Sequence, residues 1–279
     1  SGKKVYESLR GNTGHVANPC FILHRNATEE TGDVYFGLLA YSGNFKVVAE
    51  ATPYEYTNVL IGMSDTDFAW ELDPGKTLST PSVYCGYTAG GLGAMSQSLH
   101  RFERNYLMPG PFAGKELPVL YNSWYATYFD VQCEEQMKLA EKAASLGVEL
   151  FVVDDGWFGT RQDDTKGLGD WYVDSGKFPD GLSRLVNHVK SLGMRFGIWI
   201  EPEMVNPDSE LYRTHPDWVY RFENRKILQG RNQYVLDLTR EDVADFMIET
   251  LDKLLSQQEI SYIKWDMNRS ITETGICGG

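Results

Sequence analysis

The sequence predicts a β-sandwich portion followed by the first half, about four β/α units, of a TIM (β/α)8 barrel. Two observations predict this order. Short apolar strands punctuated by Gly, Pro and Asn fill residues 1–105, whereas continuously apolar strands alternate with amphipathic helices over residues 118–279. Residues 106–117, which include Met-Pro-Gly-Pro, are predicted to be a linker.

The N-terminal region shows strand and turn signals. Asp33–Tyr41 is mostly apolar and is suited to a buried strand. Phe68, Trp70 and Leu72 alternate with mainly acidic residues, which predicts a half-buried strand that ends at a Pro-Gly turn. A helix over about Leu92–Arg104 is predicted to lead out of the sandwich.

The second region repeats a strand–helix unit. Its four predicted strands are continuously apolar, as strands buried on both faces must be: Val119–Asn122, Leu150–Val153, Arg195–Ile200 and Tyr262–Trp265. Three apolar stripes at helical spacing lie between them: Met137, Ala140 and Ala144; Leu182, Leu185, Val186 and Val189; Val243, Phe246, Met247 and Leu254. This repetition implies a parallel sheet.

A doubly wound sheet and a barrel both accommodate these units. Acidic residues follow three strands directly, namely Asp154-Asp155, Glu201 with Glu203, and Asp266. In a barrel such positions converge on one mouth, where active sites are built. No GxGxxG or GxxxxGK[ST] loop is present, which removes the main reason to prefer a nucleotide-binding sheet. The pattern therefore favours a barrel.

The composition excludes some partners. A net charge of -13 argues against nucleic acid and anionic membrane surfaces, because both favour a basic surface, and a neutral ligand fits better. No run of about 18 apolar residues and no signal-peptide core is present, so we expect neither a membrane span nor an export signal. Aromatic residues, at 13%, suit sugar stacking and sandwich cores equally.

The cysteine pattern bears on location. Cys20, Cys85, Cys133 and Cys277 are scattered and show no CxxC spacing. This is typical of reduced thiols in a cytoplasmic protein rather than of a disulfide framework or a zinc site.

The strand-end acids each have a structural and a functional reading. A single acid after a strand is commonly a helix N-cap, but the adjacent Asp154 and Asp155 before Gly and Trp exceed what capping needs. Glu201 and Glu203 either brace the mouth through salt bridges or contact a ligand.

Lys264 and Asp266 are two residues apart, so alternation along a strand places them on one side and Trp265 on the other. The lysine then keeps the carboxylate ionised, either as a nucleophile or as half of a buried structural ion pair.

Five segments resemble the α-galactosidases of glycoside hydrolase family 36, which cleave melibiose and raffinose. The segments are Tyr121–Asp130 (YNSWYATYFD), Asp154–Gly159 (DDGWFG), Leu168–Trp171 (LGDW), Glu201–Val205 (EPEMV) and Lys264–Arg269 (KWDMNR). The resemblance covers essentially the whole chain, because a β-sandwich precedes the barrel in that family too.

The resemblance implies roles for the charged residues. Asp266 matches the nucleophile that forms a covalent galactosyl-enzyme. Asp154 and Asp155 match the pair that binds galactose hydroxyls, including the axial 4-OH. Lys264 and Arg231 match cationic sugar contacts.

Three further positions match in the same way. Asn268 matches a hydrogen-bond partner near the 2-OH, and Trp124 and Trp199 match the aromatic walls of the subsite. The resemblance also implies that no metal or organic cofactor is required, and that the protein is at least a dimer.

One catalytic group is expected to be missing. A retaining glycosidase needs a second carboxyl group as acid/base, which in this family is an aspartate well downstream of the KWD segment. The chain stops thirteen residues beyond Asp266, so we expect that aspartate and the C-terminal β domain to be absent. We also expect the first part of the sandwich to be absent. Glu201, Glu203 and Asp170 are the candidate substitutes, although the resemblance implies no such role for them.

Half a barrel leaves two strand edges open. We therefore expect it to pair with another copy or chain, or to belong to a longer protein.

The resulting expectation is hydrolysis of terminal α-galactosides, of the melibiose and raffinose type, with retention of configuration. The alternative is a non-catalytic galactose-binding or self-assembling fragment, which keeps the binding aspartates and indoles without turnover. A transglycosylase would use the same residues and is not separated by sequence.

Overall fold

The computed structural model describes residues 2–108, 110–257, 259–272 and 275, and the chain divides into two units, residues 1–116 and 117–279. Among the described residues, no helix is long and apolar enough to cross a membrane. The predicted linker at 106–117 stays a prediction.

The first unit contains two three-stranded antiparallel sheets, ordered β1-β4-β5 and β2-β3-β6. Its elements are β1 (Gly2–Ser8), β2 (Cys20–His24), β3 (Val34–Leu39), β4 (Phe45–Ala51), β5 (Thr57–Met63), β6 (Val83–Thr88) and α1 (Gly91–Phe102), which continues as a π-helical turn over Glu103–Leu107. Leu39 of β3 packs in one cluster with Phe45 and Val47 of β4, which joins the two sheets. The sandwich prediction is confirmed.

The prediction of a strand at Phe68, Trp70 and Leu72 is wrong. The residues between β5 and β6 are irregular, and these three side chains are 47%, 60% and 52% exposed. Alternation can define an apolar face, but a strand also needs a neighbour with which to exchange backbone hydrogen bonds. In the part of the chain that the structure describes, this segment pairs with no strand.

The second unit is built on a four-stranded parallel sheet. Its elements are β7 (Leu120–Asn122), α2 (Trp124–Thr127), α3 (Cys133–Ser145), β8 (Leu150–Val153), α4 (Ser183–Ser191), β9 (Arg195–Ile200), β10 (Met204–Val205), α5 (Glu210–Thr214), β11 (Tyr234–Val235), α6 (Glu241–Gln257) and β12 (Tyr262–Trp265). The sheet order is β7-β8-β9-β12, and β10 pairs separately with β11.

Helices connect the strands of the parallel sheet in chain order, which confirms the prediction of part of a (β/α)8 barrel. Strands β8, β9 and β12 have the predicted bounds, and β7 begins one residue later than expected. Strand β8 is fully buried, and its Phe151 and Val153 belong to the main core together with Leu185, Val186 and Val189 of α4. This core fixes the carboxyl ends of the strands, where the predicted site residues lie.

Cys20, Cys85 and Cys133 are free, whereas Cys277 lies outside the described residues.

Candidate active site

A cavity of about 200 Å³ lies at the carboxyl ends of the parallel strands. Its lining includes all eight predicted site residues, Trp124, Asp154, Asp155, Trp199, Arg231, Lys264, Asp266 and Asn268, together with Phe129, Arg161, Glu201 and Gln233. Pockets for drug-sized ligands are usually about 300–1,000 Å³, so this smaller cavity suits a single sugar ring. Convergence on one edge is what a parallel barrel sheet requires.

The Asp154-Asp155 pair begins the turn after β8. The next residue, Gly156, has φ +110°, and a Cβ there would lie 2.7 Å from the carbonyl oxygen of Phe129. Only glycine fits this turn, because the backbone of Phe129 approaches so closely. The following helix, α4, begins only at Ser183, so Asp154 is not the N-cap of that helix.

Asp154 is held by polar groups of four residues, and its Oδ1 accepts the backbone N–H of Asp155 at 2.9 Å. Its Oδ2 accepts hydrogen bonds from Asn122 Nδ2 at 2.6 Å and from Lys264 Nζ at 2.7 Å, and its backbone N–H donates to Ser123 Oγ at 3.0 Å. The side chain is 3% exposed, and its contacts with Asn122 and Lys264 fix its position relative to both β7 and β12. The quoted segment Tyr121–Asp130 therefore supplies support for Asp154 as well as Trp124.

Asp155 forms a buried two-point ion pair with Arg161. Arg161 Nε donates to Oδ1 at 2.9 Å and Nη2 donates to Oδ2 at 2.7 Å. Burial raises the pKa of the Asp155 carboxyl, and the Arg161 guanidinium opposes that effect. Arg161 Nη1 also donates to Asn206 Oδ1 at 2.9 Å, while Asn206 Nδ2 donates to the carbonyl of Asn232 at 2.8 Å.

Lys264, Asp266 and Asn268 line the cavity, while Trp265 turns away from it and donates its indole N–H to Glu203. The predicted alternation is therefore observed. Lys264 Nζ is 4.0 Å from Asp266 Oδ2 but 2.7 Å from Asp154 Oδ2, so its closer partner is Asp154. Both Lys264 and Asp266 are about one-third exposed, so they do not form a buried structural pair.

Asp266 receives three hydrogen bonds. Trp199 Nε1 donates to its Oδ2 at 3.0 Å, Asn268 Nδ2 donates to the same oxygen at 2.8 Å, and the backbone N–H of Met267 donates to Oδ1 at 3.0 Å. Burial raises the pKa of Asp266, but these donors and Lys264 outweigh it and hold that pKa below its ordinary value. The carboxylate is thus kept ionised mainly by hydrogen bonds rather than by the lysine alone.

Glu201 lines the cavity and is almost fully buried, with 1% of the residue exposed. One oxygen accepts the backbone N–H of Asn268, and the other accepts Gln233 Nε2 at 3.0 Å. Burial, with a further contribution from the nearby Asp266 charge, raises the pKa of Glu201 to about 7. Among the described residues, amide donors rather than a cation hold this side chain, so Glu201 does not brace the mouth through a salt bridge there.

The two predicted indoles occupy different environments. Trp124 is partly exposed, and its ring contacts Phe129 edge-on at 5.0 Å between centroids. Trp199 is 1% exposed and stacks on Phe158 with 7° between the ring planes. Trp199 therefore presents an N–H to Asp266 more than an open face to the cavity.

Arg231 is exposed at the cavity and donates from Nη1 to Asn268 Oδ1 at 3.2 Å. Arg231 and Asn232 have φ values of +51° and +60°, which residues other than glycine rarely adopt. Such strained backbone is concentrated at functional sites.

Glu203 and Asp170 lie outside the cavity lining. Glu203 accepts the Trp265 indole N–H, and Asp170 accepts the backbone N–H groups of Glu210 and Leu211 at the start of α5. Asp170 therefore stabilises a helix start instead of facing the cavity. The described residues contain no group of three or more His, Cys, Asp or Glu that would hold a metal ion.

Among the residues that line the cavity, Phe129, Arg161 and Gln233 were not predicted from the sequence, whereas Glu201 was a candidate ligand contact and a candidate substitute acid. Arg161 lies six residues after Asp155, so a cation near a double acid was an available signal. Gln233 lies two residues after the predicted sugar contact Arg231, but no sequence pattern indicates that it contacts Glu201.

Comparison with known families accounts for almost the whole chain. The Glycosyl hydrolase family 36 N-terminal domain matches residues 1–73, and the Melibiase family matches residues 77–278. The chain belongs to the melibiase family. The candidate site lies entirely within the segment that matches the Melibiase family.

The chain is similar to two bacterial α-galactosidases over nearly its full length. It is 48% identical to α-galactosidase AgaA of Geobacillus stearothermophilus, covering 99% of the chain and 38% of AgaA. It is 43% identical to the bifunctional α-galactosidase/sucrose kinase AgaSK of Mediterraneibacter gnavus, covering 98% of the chain and 29% of that protein. The chain thus spans about two fifths or less of the length of these relatives.

Solved structures agree with the fold. The crystal structure of AgaA superposes with a TM-score of 0.95 at 47% identity, over 99% of the chain and 39% of AgaA. The galactosidase domain of AgaSK gives a TM-score of 0.93 at 43% identity, over 99% of the chain and 38% of that domain. Variants of AgaA have been crystallised with 1-deoxygalactonojirimycin, stachyose and raffinose.

Proposed function

We propose that this protein acts as a retaining α-galactosidase on terminal α-galactosides of the melibiose and raffinose type. The observation that carries the proposal is the environment of Asp266, an ionised carboxylate that faces a sugar-sized cavity and is fixed by three donors. Family membership and the sugars bound by the AgaA variants support the choice of galactosides.

Asp266 attacks the anomeric carbon in the first step. Its Oδ2 already accepts two hydrogen bonds, whereas Oδ1 accepts one from Met267 and keeps a lone pair for attack. The bond from the anomeric carbon to Asp266 forms as the bond to the leaving oxygen breaks, and a general acid protonates that oxygen. Water then cleaves the galactosyl-enzyme, giving its proton to the same group and restoring Asp266.

Asp154 and Asp155 are proposed to bind the galactose hydroxyls, with Lys264 and Arg231 as cationic sugar contacts and Asn268 near the 2-OH. Asp154 and Asp155 are each fixed by cations, Lys264 and Arg161 respectively, and a carboxylate so fixed still accepts further hydrogen bonds from hydroxyls. Trp124, whose ring is partly exposed, is proposed as the aromatic wall.

The general acid is proposed to be an aspartate outside this chain. Asp154, Asp155 and Glu201 are the other carboxylates that line the cavity, and each is engaged at both oxygens. Glu201 has the pKa expected of a general acid, about 7. However, its two oxygens face the amide donors of Asn268 and Gln233, so it is not placed to protonate a leaving group.

Strands β7 and β12 form the two edges of the described parallel sheet. We propose that both edges are covered in the functional protein, by further barrel strands or by another copy, since open edges template aggregation. A cytoplasmic location remains our proposal, consistent with free Cys20, Cys85 and Cys133.

The test is hydrolysis of p-nitrophenyl α-galactoside by this chain and by Asp266→Ala, with oligomer mass measured on the same samples. We expect Asp266→Ala to abolish any turnover, while the exposed control Asp252→Ala keeps it. Galactose binding without turnover in the folded wild-type chain would instead favour the non-catalytic alternative. Turnover that survives Asp266→Ala would refute the assignment of the nucleophile.

A further inference from the structure

Glu201 joins two segments that come together only in the folded second unit. Its carboxylate follows β9, accepts Gln233 Nε2 from the loop before β11, and accepts the backbone N–H of Asn268 from the segment after β12. With 1% of the side chain exposed, water does not compete for these hydrogen bonds.

Both segments are connected to Asp266 by hydrogen bonds of the Asn268 side chain. The Asn268 side chain donates to Asp266 Oδ2 at 2.8 Å and accepts Arg231 Nη1 at 3.2 Å. The backbone carbonyl of Gln233 accepts Arg269 Nη1 at 2.7 Å, which ties the two segments together a second time. The orientation of the Asn268 amide toward Asp266 therefore depends on where Glu201 holds the Asn268 backbone.

We propose that Glu201 is a positioning residue for Asp266, which acts by fixing the backbone of Asn268, and is not the proton donor of the reaction. This inference rests on the proposed function, in which Asp266 is the nucleophile. It goes further by assigning to the buried first glutamate of the Glu-Pro-Glu segment a role that requires no proton transfer.

The link survives protonation of Glu201. A proton on the oxygen that faces Gln233 can donate to the Gln233 amide once that amide turns over, while the other oxygen still accepts from Asn268. Gln233 Oε1 has no hydrogen-bond partner among the described residues, so no other contact there opposes the turn. Since Glu201 can position Asn268 in either state, an uncharged isostere must also do so.

Three substitutions of Glu201 are expected to differ in their effects. Glu201→Gln keeps an acceptor for Asn268 and offers an N–H to the turned Gln233 amide. Glu201→Asp keeps a carboxylate but is one methylene too short to reach both partners, and Glu201→Ala removes both hydrogen bonds. Glu203→Gln is the matched control, because Glu203 lies two residues away, is partly buried and bonds to Trp265 outside the cavity.

The first measurement is a carboxyl ¹³C NMR titration of aspartate-labelled chain, with Asp266 assigned by Asp266→Asn. The wild type, Glu201→Gln and Glu203→Gln are expected to keep the pKa of Asp266 below its ordinary value. In Glu201→Asp and Glu201→Ala it should rise toward that value, because Asn268 no longer donates in a fixed geometry.

The second measurement is the affinity for 1-deoxygalactonojirimycin by calorimetry on the same samples. Glu201→Asp and Glu201→Ala should weaken binding at least tenfold, whereas Glu201→Gln should stay within about threefold of the wild type. An unchanged Asp266 titration in Glu201→Asp, or Glu201→Gln as impaired as Glu201→Ala, overturns the proposal. If the titration pattern holds and the wild type binds no iminosugar, the positioning role stands and the proposed function fails.

Discussion

Arg161 holds Asp155 through two parallel hydrogen bonds, Nε to Oδ1 at 2.9 Å and Nη2 to Oδ2 at 2.7 Å, with the two side chains 2% and 7% exposed. Removing one member of such a pair leaves a buried charge without a partner, which is more costly than removing both. The pair therefore fixes an aspartate of the candidate site and makes the fold depend on that contact.

Arg161→Met is expected to lower the free energy of unfolding by about 3–5 kcal/mol, because Asp155 stays buried without its cation. The double variant Arg161→Met/Asp155→Asn should recover part of that loss. Urea denaturation of the wild type and of both variants measures these free energies of unfolding.

The control for Arg161→Met is Arg213→Met, since Arg213 and Asp208 form an exposed pair. A change below about 1 kcal/mol is expected there. If Arg161→Met costs no more than Arg213→Met, the buried pair does not support the fold.

Lys177→Met is expected to destabilise the second unit by about 3 kcal/mol or more, because three acceptors lose one buried donor. Lys177 Nζ donates to the carbonyls of Phe129, Gly156 and Arg161 at 2.9, 2.7 and 2.6 Å. Thermal unfolding, followed by circular dichroism, measures the effect.

Lys138→Met is the control for Lys177→Met, since Lys138 is an exposed residue of α3. It should change stability by less than about 0.5 kcal/mol. Equal melting temperatures for the two variants would contradict the role assigned to Lys177.

Lys264→Met is expected to weaken galactose binding at least tenfold, about 1.4 kcal/mol. It removes the ammonium that contacts Asp154 at 2.7 Å and stands 4.0 Å from Asp266. The pKa of Asp266 should rise as well, but only in part, because Trp199 and Asn268 continue to donate to it. Calorimetry at several pH values separates the loss of the contact between Lys264 and the sugar from the effect of the changed Asp266 pKa. An affinity equal to that of the wild type would count against Lys264 as a sugar contact.

Glu201 should make stability fall as the pH rises. Its pKa is raised from 4.5 to about 7 by burial, so between these values the folded state holds a proton that the unfolded chain has released. The loss of unfolding free energy that ionised Glu201 causes is therefore absent below about pH 4.5. It is complete above about pH 7, where it amounts to about 3 kcal/mol.

The measurement is urea unfolding from pH 4.5 to 8.5 for the wild type and Glu201→Gln. The difference between their free energies of unfolding should grow in favour of the glutamine from pH 4.5 to about pH 7 and then stay constant. The exposed Glu249→Gln controls for the change in charge. Parallel curves for the wild type and Glu201→Gln would mean that folded Glu201 holds no extra proton.

Much of this arrangement was accessible from sequence because it depends on local periodicity. The apolar strands β8, β9 and β12 were predicted with their observed bounds, since strands buried on both faces leave a continuous apolar run. Acids directly after those strands must meet at one edge of a parallel sheet, so Asp154, Asp155 and Asp266 were predicted to converge.

Contacts between distant segments were not accessible in this way. Sequence spacing pairs Lys264 with Asp266, but the fold places Lys264 closer to Asp154, 110 residues away. The exposed segment with Phe68 and Trp70 shows the same limit, because alternation does not reveal whether a partner strand is available.

The sequence by itself determined the order of the sandwich and barrel portions, the identity of the family and the set of acids at the strand ends. Only the tertiary structure decided which groups keep Asp266 ionised, namely Trp199, Asn268 and Lys264, and that Glu201 lies buried behind Asn268. Periodicity and strand ends are properties of neighbouring residues, whereas a pKa or a hydrogen bond depends on which distant groups the packed sheet brings within about 3–4 Å.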